Sequence, residues 1–323
     1  MQMILIGGPQ STGSSLLRQI LNRHQQIHCL NETHLFAKQA LYESWSTSQH
    51  QLFAKRRSGL KTSGWHIFTG LDVSDEKKTQ LKSLLNKTSY DSFKEFAYDA
   101  VPLLAEEKSQ IYMDKTPANI FCIGHAFHAN VCQKAIITVR DPYDTVASLT
   151  SRGKHLMDAV VLVKSAFSQM LQYVQDDRIV FVKYEDLVNS PVEELSKLLS
   201  FLGLEFSEDL LKSKASNVDE ETKIDGWAYD ESSEIGSQSK GRFSRLSQKE
   251  QNLIIKAFNM ISWKGSNQSI WKLMDHLQYD QRKNNMNVRV SFGSHLFRKL
   301  TSHWVKNNPY HLINNPITFS KNV

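Results

Sequence analysis

Apolar and polar positions change period several times along this chain, and the changes mark its elements. Met3-Ile4-Leu5-Ile6 is an unbroken apolar run of strand length that ends at Gly7-Gly8. From Ser14 to His24 the apolar residues Leu16, Leu17, Ile20 and Leu21 recur at helical spacing, and Asn22-Arg23-His24 ends the pattern. Ile27 to Leu30 returns to strand length. Residues 37–109 are mostly polar, helical in pattern at Ser92 to Glu107, with a loop at Arg56 to Gly64; they predict a helical insertion that caps the sheet. Three further strands are predicted at Gln110 to Asp114, Lys134 to Val139 and Arg178 to Tyr184. Helices follow them from Ala118, from Pro142 with Asp141 as N-cap, and over Val192 to Leu202. Strands that alternate with helices predict an α/β fold: a three-layer, doubly wound parallel sheet. In such sheets ligands bind beyond the C-terminal ends of the strands. No repeat, low-complexity tract or clean linker interrupts the pattern, which predicts one domain over residues 1–280 and a C-terminal extension over 281–323.

Composition changes this picture at one place. The chain has 323 residues, 40% hydrophobic and 22% charged, the balance of a globular protein. Its net charge of +6 is carried by the extension, where Arg282, Lys283, Arg289, Arg298, Lys299, Lys306 and Lys321 face no acid; the remainder holds 32 basic and 33 acidic residues. These charges are sparse, which argues against nucleic acid and for an arm that packs on its own domain or on a partner subunit, so a homodimer stays open. No segment is long and apolar enough to span a bilayer, and the run before Gly7 is too short for a secretory leader, which predicts a cytoplasmic protein. Cys29, Cys122 and Cys132 show no C-x-x-C spacing, so neither a disulfide framework nor a metal site is expected.

The turn after the first strand carries the chemistry. Gly8 and Gly13 are separated by four residues and followed by Ser14-Ser15 at the start of a helix. Backbone N–H groups and the helix dipole converge there on one point, an anion site that needs no metal. The spacing is that of a Walker loop, except that Ser14 stands where an NTPase needs lysine. The missing lysine argues against ATP or GTP hydrolysis. A second constellation is Val139-Arg140-Asp141-Pro142-Tyr143-Asp144-Thr145-Val146-Ala147-Ser148. Arg140 at a strand end and Ser148 two turns into the helix can reach one phosphate monoester; the other reading is that Arg140 pairs with Asp144.

Taken together with Lys183-Tyr184-Glu185-Asp186-Leu187-Val188-Asn189-Ser190-Pro191 and Phe201-Leu202-Gly203-Leu204, these motifs stand in the order found in the sulfotransferases that use 3′-phosphoadenosine 5′-phosphosulfate (PAPS). The resemblance covers about residues 1–36 and 110–260, and within that family the chain is loosely similar to the tyrosylprotein and carbohydrate enzymes. It implies a P-loop NTPase-like sulfotransferase fold and PAPS as cosubstrate, with the bisphosphate PAP as product and no metal. By resemblance, Ser11, Thr12, Gly13, Ser14 and Ser15 hold the 5′-phosphosulfate. Arg140 and Ser148 hold the 3′-phosphate, and Tyr184 lies near the adenine or the phosphosulfate. Ile235 to Phe243 resembles a basic segment that closes over the donor, with Lys240, Gly241 and Arg242 on the 3′-phosphate; an ordinary exposed loop is the other reading. Glu32 matches the family's glutamate base, with His34 as the fallback, and Lys115 matches the lysine that stabilises the leaving phosphate. Arg152, one turn beyond Ser148, either faces this site or is solvated.

One position departs from the family. Relatives carry Arg or Lys immediately before the Ser/Thr-Gly pair of the first loop, where this chain has Ser11, so Lys115, Arg18 or another basic group has to compensate, or turnover is inefficient. The expected acceptor is a small molecule or glycan. Asp219, Glu220, Glu221, Asp225, Asp230, Glu231 and Glu234, interleaved with Trp227 and Tyr229, form either an acidic rim that favours neutral or cationic acceptors or a solvated loop. A P-loop kinase would need the missing lysine and a magnesium-binding carboxylate. A noncatalytic anion binder would leave Glu32 and Lys115 without a purpose.

Overall fold

The computed structural model describes residues 1–53, 71–105, 108–211, 240–263, 266–282 and 317–319. The Arg56 to Gly64 loop, the acidic stretch, Ile235 to Ser239 and most of the extension lie outside the described residues. Five strands form one parallel sheet: β1 (Gln2–Gly7), β2 (Ile27–Leu30), β3 (Ile111–Lys115), β4 (Lys134–Val139) and β5 (Ile179–Lys183), in the order β2-β3-β1-β4-β5. Helices of six or more residues are α1 (Ser14–Leu21), α2 (Asp75–Lys87), α3 (Phe93–Ala105), α4 (Ile123–His128), α5 (Pro142–Ser151), α6 (Leu156–Met170), α7 (Tyr184–Asn189), α8 (Pro191–Leu202), α9 (Gln248–Met260) and α10 (Ser266–His276). A short antiparallel pair joins Ile261–Trp263 to Ile317–Phe319.

Side chains alternate between the two faces of each strand, and the core divides accordingly. Met3 and Leu5 of β1, and Ala135, Ile137 and Val139 of β4, point into a large core shared with α3, α4, α5, α6, α9 and α10. Ile4 and Ile6, Ile136, Ile111 and Met113 point the other way, against α1 and α8. Continuous apolar strands are therefore buried on both faces, as a parallel sheet requires. This is the three-layer α/β fold that the alternating pattern predicts. The helices between β2 and β3 belong to the larger core, where Phe93, Phe96 and Ala97 pack with Met3 and Leu5.

Strand register decides what meets at the C-terminal edge of the sheet. β1 lies between β3 and β4, with Ile6 opposite Lys115 and Gly7 opposite Ile137. Leu30 lies opposite Asp114, and Val139 opposite Lys183. The loops that follow the five strands thus share one edge. The cysteines are buried thiols, whose burial pushes all three up to about 12. Among the described residues no helix is long and apolar enough to cross a membrane, and no cluster of side chains could hold a metal.

Candidate active site

The loop from Gly8 to Gly13 is closed by contacts that few other residues would permit. Gly8 has φ 144°, and a Cβ there would lie 2.2 Å from the Thr138 carbonyl oxygen of β4. Gly13 caps α1 with φ 83°, and a Cβ on it would lie 2.5 Å from Cδ2 of Tyr184. Thr12 turns inward: its hydroxyl donates to the Pro9 carbonyl and shares a hydrogen bond with the Thr138 hydroxyl, both at 2.8 Å. Ser14 and Ser15 then open α1, whose first N–H groups have no partner within the helix. The loop is a backbone cradle at a helix N-terminus, suited to an anion.

Glu32 and Lys115 meet because β2 and β3 are neighbours. Lys115 ends β3 and is 2% exposed; Glu32 lies two residues beyond Leu30 in the loop after β2. Lys115 Nζ donates to Glu32 Oε1 at 2.8 Å and to Ser15 Oγ at 3.4 Å, so one ammonium bridges the carboxylate and the anion loop. The Glu32 side chain remains 37% exposed. His34 is buried, with Nε2 3.9 Å from Glu32 Oε2 and backbone φ 54°. Below the pair, Asp114 accepts hydrogen bonds from Thr33 Oγ1 and, at 2.8 Å, from Asn119 Nδ2. These bonds tie the loop carrying Glu32 to the strand carrying Lys115. Burial raises the Asp114 pKa despite them. The sequence carries no signal for this support, because Thr33 lies 81 residues from Asp114.

β4 and β5 are neighbours too, so the residues just after them meet. Arg140, 2% exposed, lies with its guanidinium 4.8 Å over the Tyr184 ring. It donates through Nη1 to the Ser11 carbonyl at 3.3 Å and through Nη2 to Asp144 Oδ2 at 3.1 Å. The pairing of Arg140 with Asp144 is therefore present, and the same guanidinium also reaches the first loop. Ser148 is buried on α5, one turn beyond Asp144. Gly241 and Phe243 donate their backbone N–H groups to Asp144, each at 2.8 Å, which brings the Lys240 to Phe243 segment onto α5. Arg242 donates to Ser151 Oγ at 3.1 Å, whereas Lys240 turns away to Asn189 Oδ1 at 2.8 Å. Arg152 keeps exposed surface; desolvation by the protein around it, then repulsion from Arg242 and Arg140, push its guanidinium down to about 10.

The proposed residues thus gather in two groups that reach the first loop, Glu32, Lys115 and His34 through Ser15, and Arg140, Tyr184 and, by way of Asp144, Gly241 through the Ser11 carbonyl, while Ser148 lies farther along α5 and Arg242 reaches Ser151 at its end. The residue that joins the second group, Asp144, is not singled out as a site residue by its motif.

Comparison with known proteins gives a consistent result. A family model described as "Sulfotransferase family" matches residues 3–208. A curated relative, protein-tyrosine sulfotransferase 2 of Gallus gallus, is 24% identical over 222 residues, covering 65% of this chain and 53% of the relative; the match thus spans about half the relative's length. Among solved structures, the sulfotransferase domain from the curacin biosynthetic pathway superposes with a TM-score of 0.55 at 17% identity, covering 87% of this chain and 99% of that one. The sulfotransferase domain of the Synechococcus PCC 7002 olefin synthase gives 0.50 at 19% identity, covering 86% and 94%.

Proposed function

Because the chain belongs to the sulfotransferase family, we propose that it moves a sulfuryl group from PAPS to a hydroxyl or amine of an acceptor, without a metal, using Glu32 as base and Lys115 as the stabilising cation. The observation that carries this reading is the Lys115 ammonium, placed between the Glu32 carboxylate and Ser15 of the anion loop. When bound, PAPS supplies an activated sulfuryl group whose departure leaves negative charge on a phosphate oxygen. The loop from Ser11 to Ser15 holds that phosphate end through backbone N–H groups and hydroxyls. Lys115 neutralises the developing charge from a buried position, where an ammonium acts more strongly than in water. Glu32, partly exposed, takes the proton of the acceptor, with His34 beside it as the alternative base.

Arg140, Ser148, Gly241 and Arg242 would hold a 3′-phosphate, with Arg152 added to the set, and Tyr184 would form the wall between that group and the first loop. The fit rests on the buried Arg140 guanidinium bonded to the first loop and on the Gly241–Phe243 segment that Asp144 holds beside it. Ser11 carries no charge, so Lys115 bears the leaving-group load, and Arg140, bonded to the Ser11 carbonyl, is the next cation along the loop. The acceptor is a small molecule or glycan. The acids between Asp219 and Glu234 favour a neutral or cationic one.

Release of PAP from PAPS should be followed with a panel of phenols, alcohols, amines and sugars. Glu32→Gln is expected to lower kcat by about 100- to 10,000-fold with donor affinity kept. Lys115→Ala should cost roughly 100- to 1000-fold in kcat. A Glu32→Gln enzyme that turns over at the wild-type rate overturns the base assignment, and wild type that releases no PAP with any acceptor overturns the activity.

A further inference from the structure

Asp144 lies three residues after the N-cap of α5 and is buried. Its two oxygens receive three donors from two distant parts of the chain. Oδ2 accepts Arg140 Nη2 at 3.1 Å and the Gly241 N–H at 2.8 Å, while Oδ1 accepts the Phe243 N–H at 2.8 Å. Gly241 has φ 69°, a left-handed conformation of the kind that lets N–H groups close together in sequence converge on one anion. The Phe243 ring packs on Tyr143 at 5.5 Å and lies under the Arg282 guanidinium at 4.3 Å, so the segment is held from its other side as well. Arg282 in turn donates to Asp141 Oδ2, the N-cap carboxylate of α5, at 3.3 Å.

We propose that Asp144 is a positioning residue that fixes Arg140 and the Gly241–Phe243 segment as one unit, and so sets the preference of the site for a nucleotide that carries a 3′-phosphate. This rests on the donor reading above. The guanidinium and the segment's backbone use the same carboxylate, so neither can move without disturbing the other. The carboxylate also balances the buried charge of Arg140, with which it is ion-paired at 3.1 Å. A carboxamide cannot replace it, since it offers one acceptor oxygen and turns N–H donors toward groups that are themselves donors.

The test compares adenosine 3′,5′-bisphosphate with 5′-AMP by calorimetric titration of the wild type, Asp144→Asn and Asp144→Glu, together with hydrogen exchange of the nucleotide-free wild type. Asp144→Asn should weaken the bisphosphate by roughly 10- to 100-fold, the worth of hydrogen bonds to a charged group, with 5′-AMP bound as before. Asp144→Glu, which restores the charge, should recover part of the difference. The Gly241 and Phe243 amides of the wild type should exchange far more slowly than free-chain amides. Equal loss for both nucleotides, or an unchanged ratio, overturns the proposal, as do unprotected Gly241 and Phe243 amides in the wild type, a result that does not depend on any variant folding. Equal binding of both nucleotides by the wild type instead overturns the donor reading and with it the ligand assigned to this joint.

Discussion

Gly13 and Tyr184 share a contact that no larger residue at position 13 would allow. The glycine has φ 83°, and an added methyl group would lie 2.5 Å from the ring that supports Arg140. Gly13→Ala therefore combines a left-handed backbone with a clash, and a loss of about 1–3 kcal/mol in stability is expected by urea denaturation. Pairing it with Tyr184→Leu should recover part of that loss; an unaltered midpoint for Gly13→Ala alone would contradict the contact. Spacing made Gly13 legible in the sequence, since Gly8, Gly13 and Ser14-Ser15 sit at the intervals of an anion loop. Ser11 was legible as a missing cation, but its φ of 71° was not, because a serine carries no sign of a left-handed backbone. Both sequence readings of Arg140 remained open, and its ion pair with Asp144 at 3.1 Å coexists with a position on the first loop. What no local pattern could reveal is that Asp144 also holds Gly241, 97 residues away.

Among the elements, α5 is the one whose start is written most clearly. Asp141 accepts the N–H groups of Tyr143 and Asp144, both at 2.8 Å, and Pro142 occupies the first turn where a missing N–H costs nothing. The strands were legible to within a residue or two because unbroken apolar runs bounded by turn residues admit few alternatives. The helix α6 was not. It is buried on most sides, so it shows no apolar stripe, and Lys164 interrupts its middle. That lysine donates to the Phe258 carbonyl of α9 at 2.8 Å, and burial pushes its pKa from 10.5 down to about 7. Between these values the unfolded chain holds a proton that the folded chain lacks, so this group makes stability rise with pH from about 7 toward 10.5 and adds no slope below that window. Lys164→Met should remove that rise, which chemical denaturation at pH 7 and pH 9 would reveal as a smaller difference than in the wild type. An equal difference in both proteins would show that Lys164 is not the group responsible.

At the scale of the molecule, the order β2-β3-β1-β4-β5 turns residues far apart in sequence into one edge. With β1 central, its loop meets Lys115 on one side and Thr138 and Arg140 on the other, and the outer strands add Glu32 and Tyr184. The alternation of strands and helices made the parallel sheet legible, and with it the expectation that the chemistry gathers at the C-terminal strand ends. The buried support was not legible: Asp114 and Asn119 are close in sequence, but Thr33 joins them only when β2 and β3 align. The charge asymmetry of the chain likewise says little about the site, because the basic extension accounts for the net charge while Arg140, Arg152 and Arg242 lie within the balanced portion. This edge is proposed to bind a sulfuryl donor through its 3′-phosphate. Calorimetric titration of the protein with adenosine 3′,5′-bisphosphate, against ATP with and without magnesium and repeated on Arg140→Ala, tests it most directly. Micromolar binding of the bisphosphate, indifferent to magnesium and abolished in the variant, is expected; magnesium-dependent binding that favours ATP, unaffected by the loss of Arg140, would overturn the assignment.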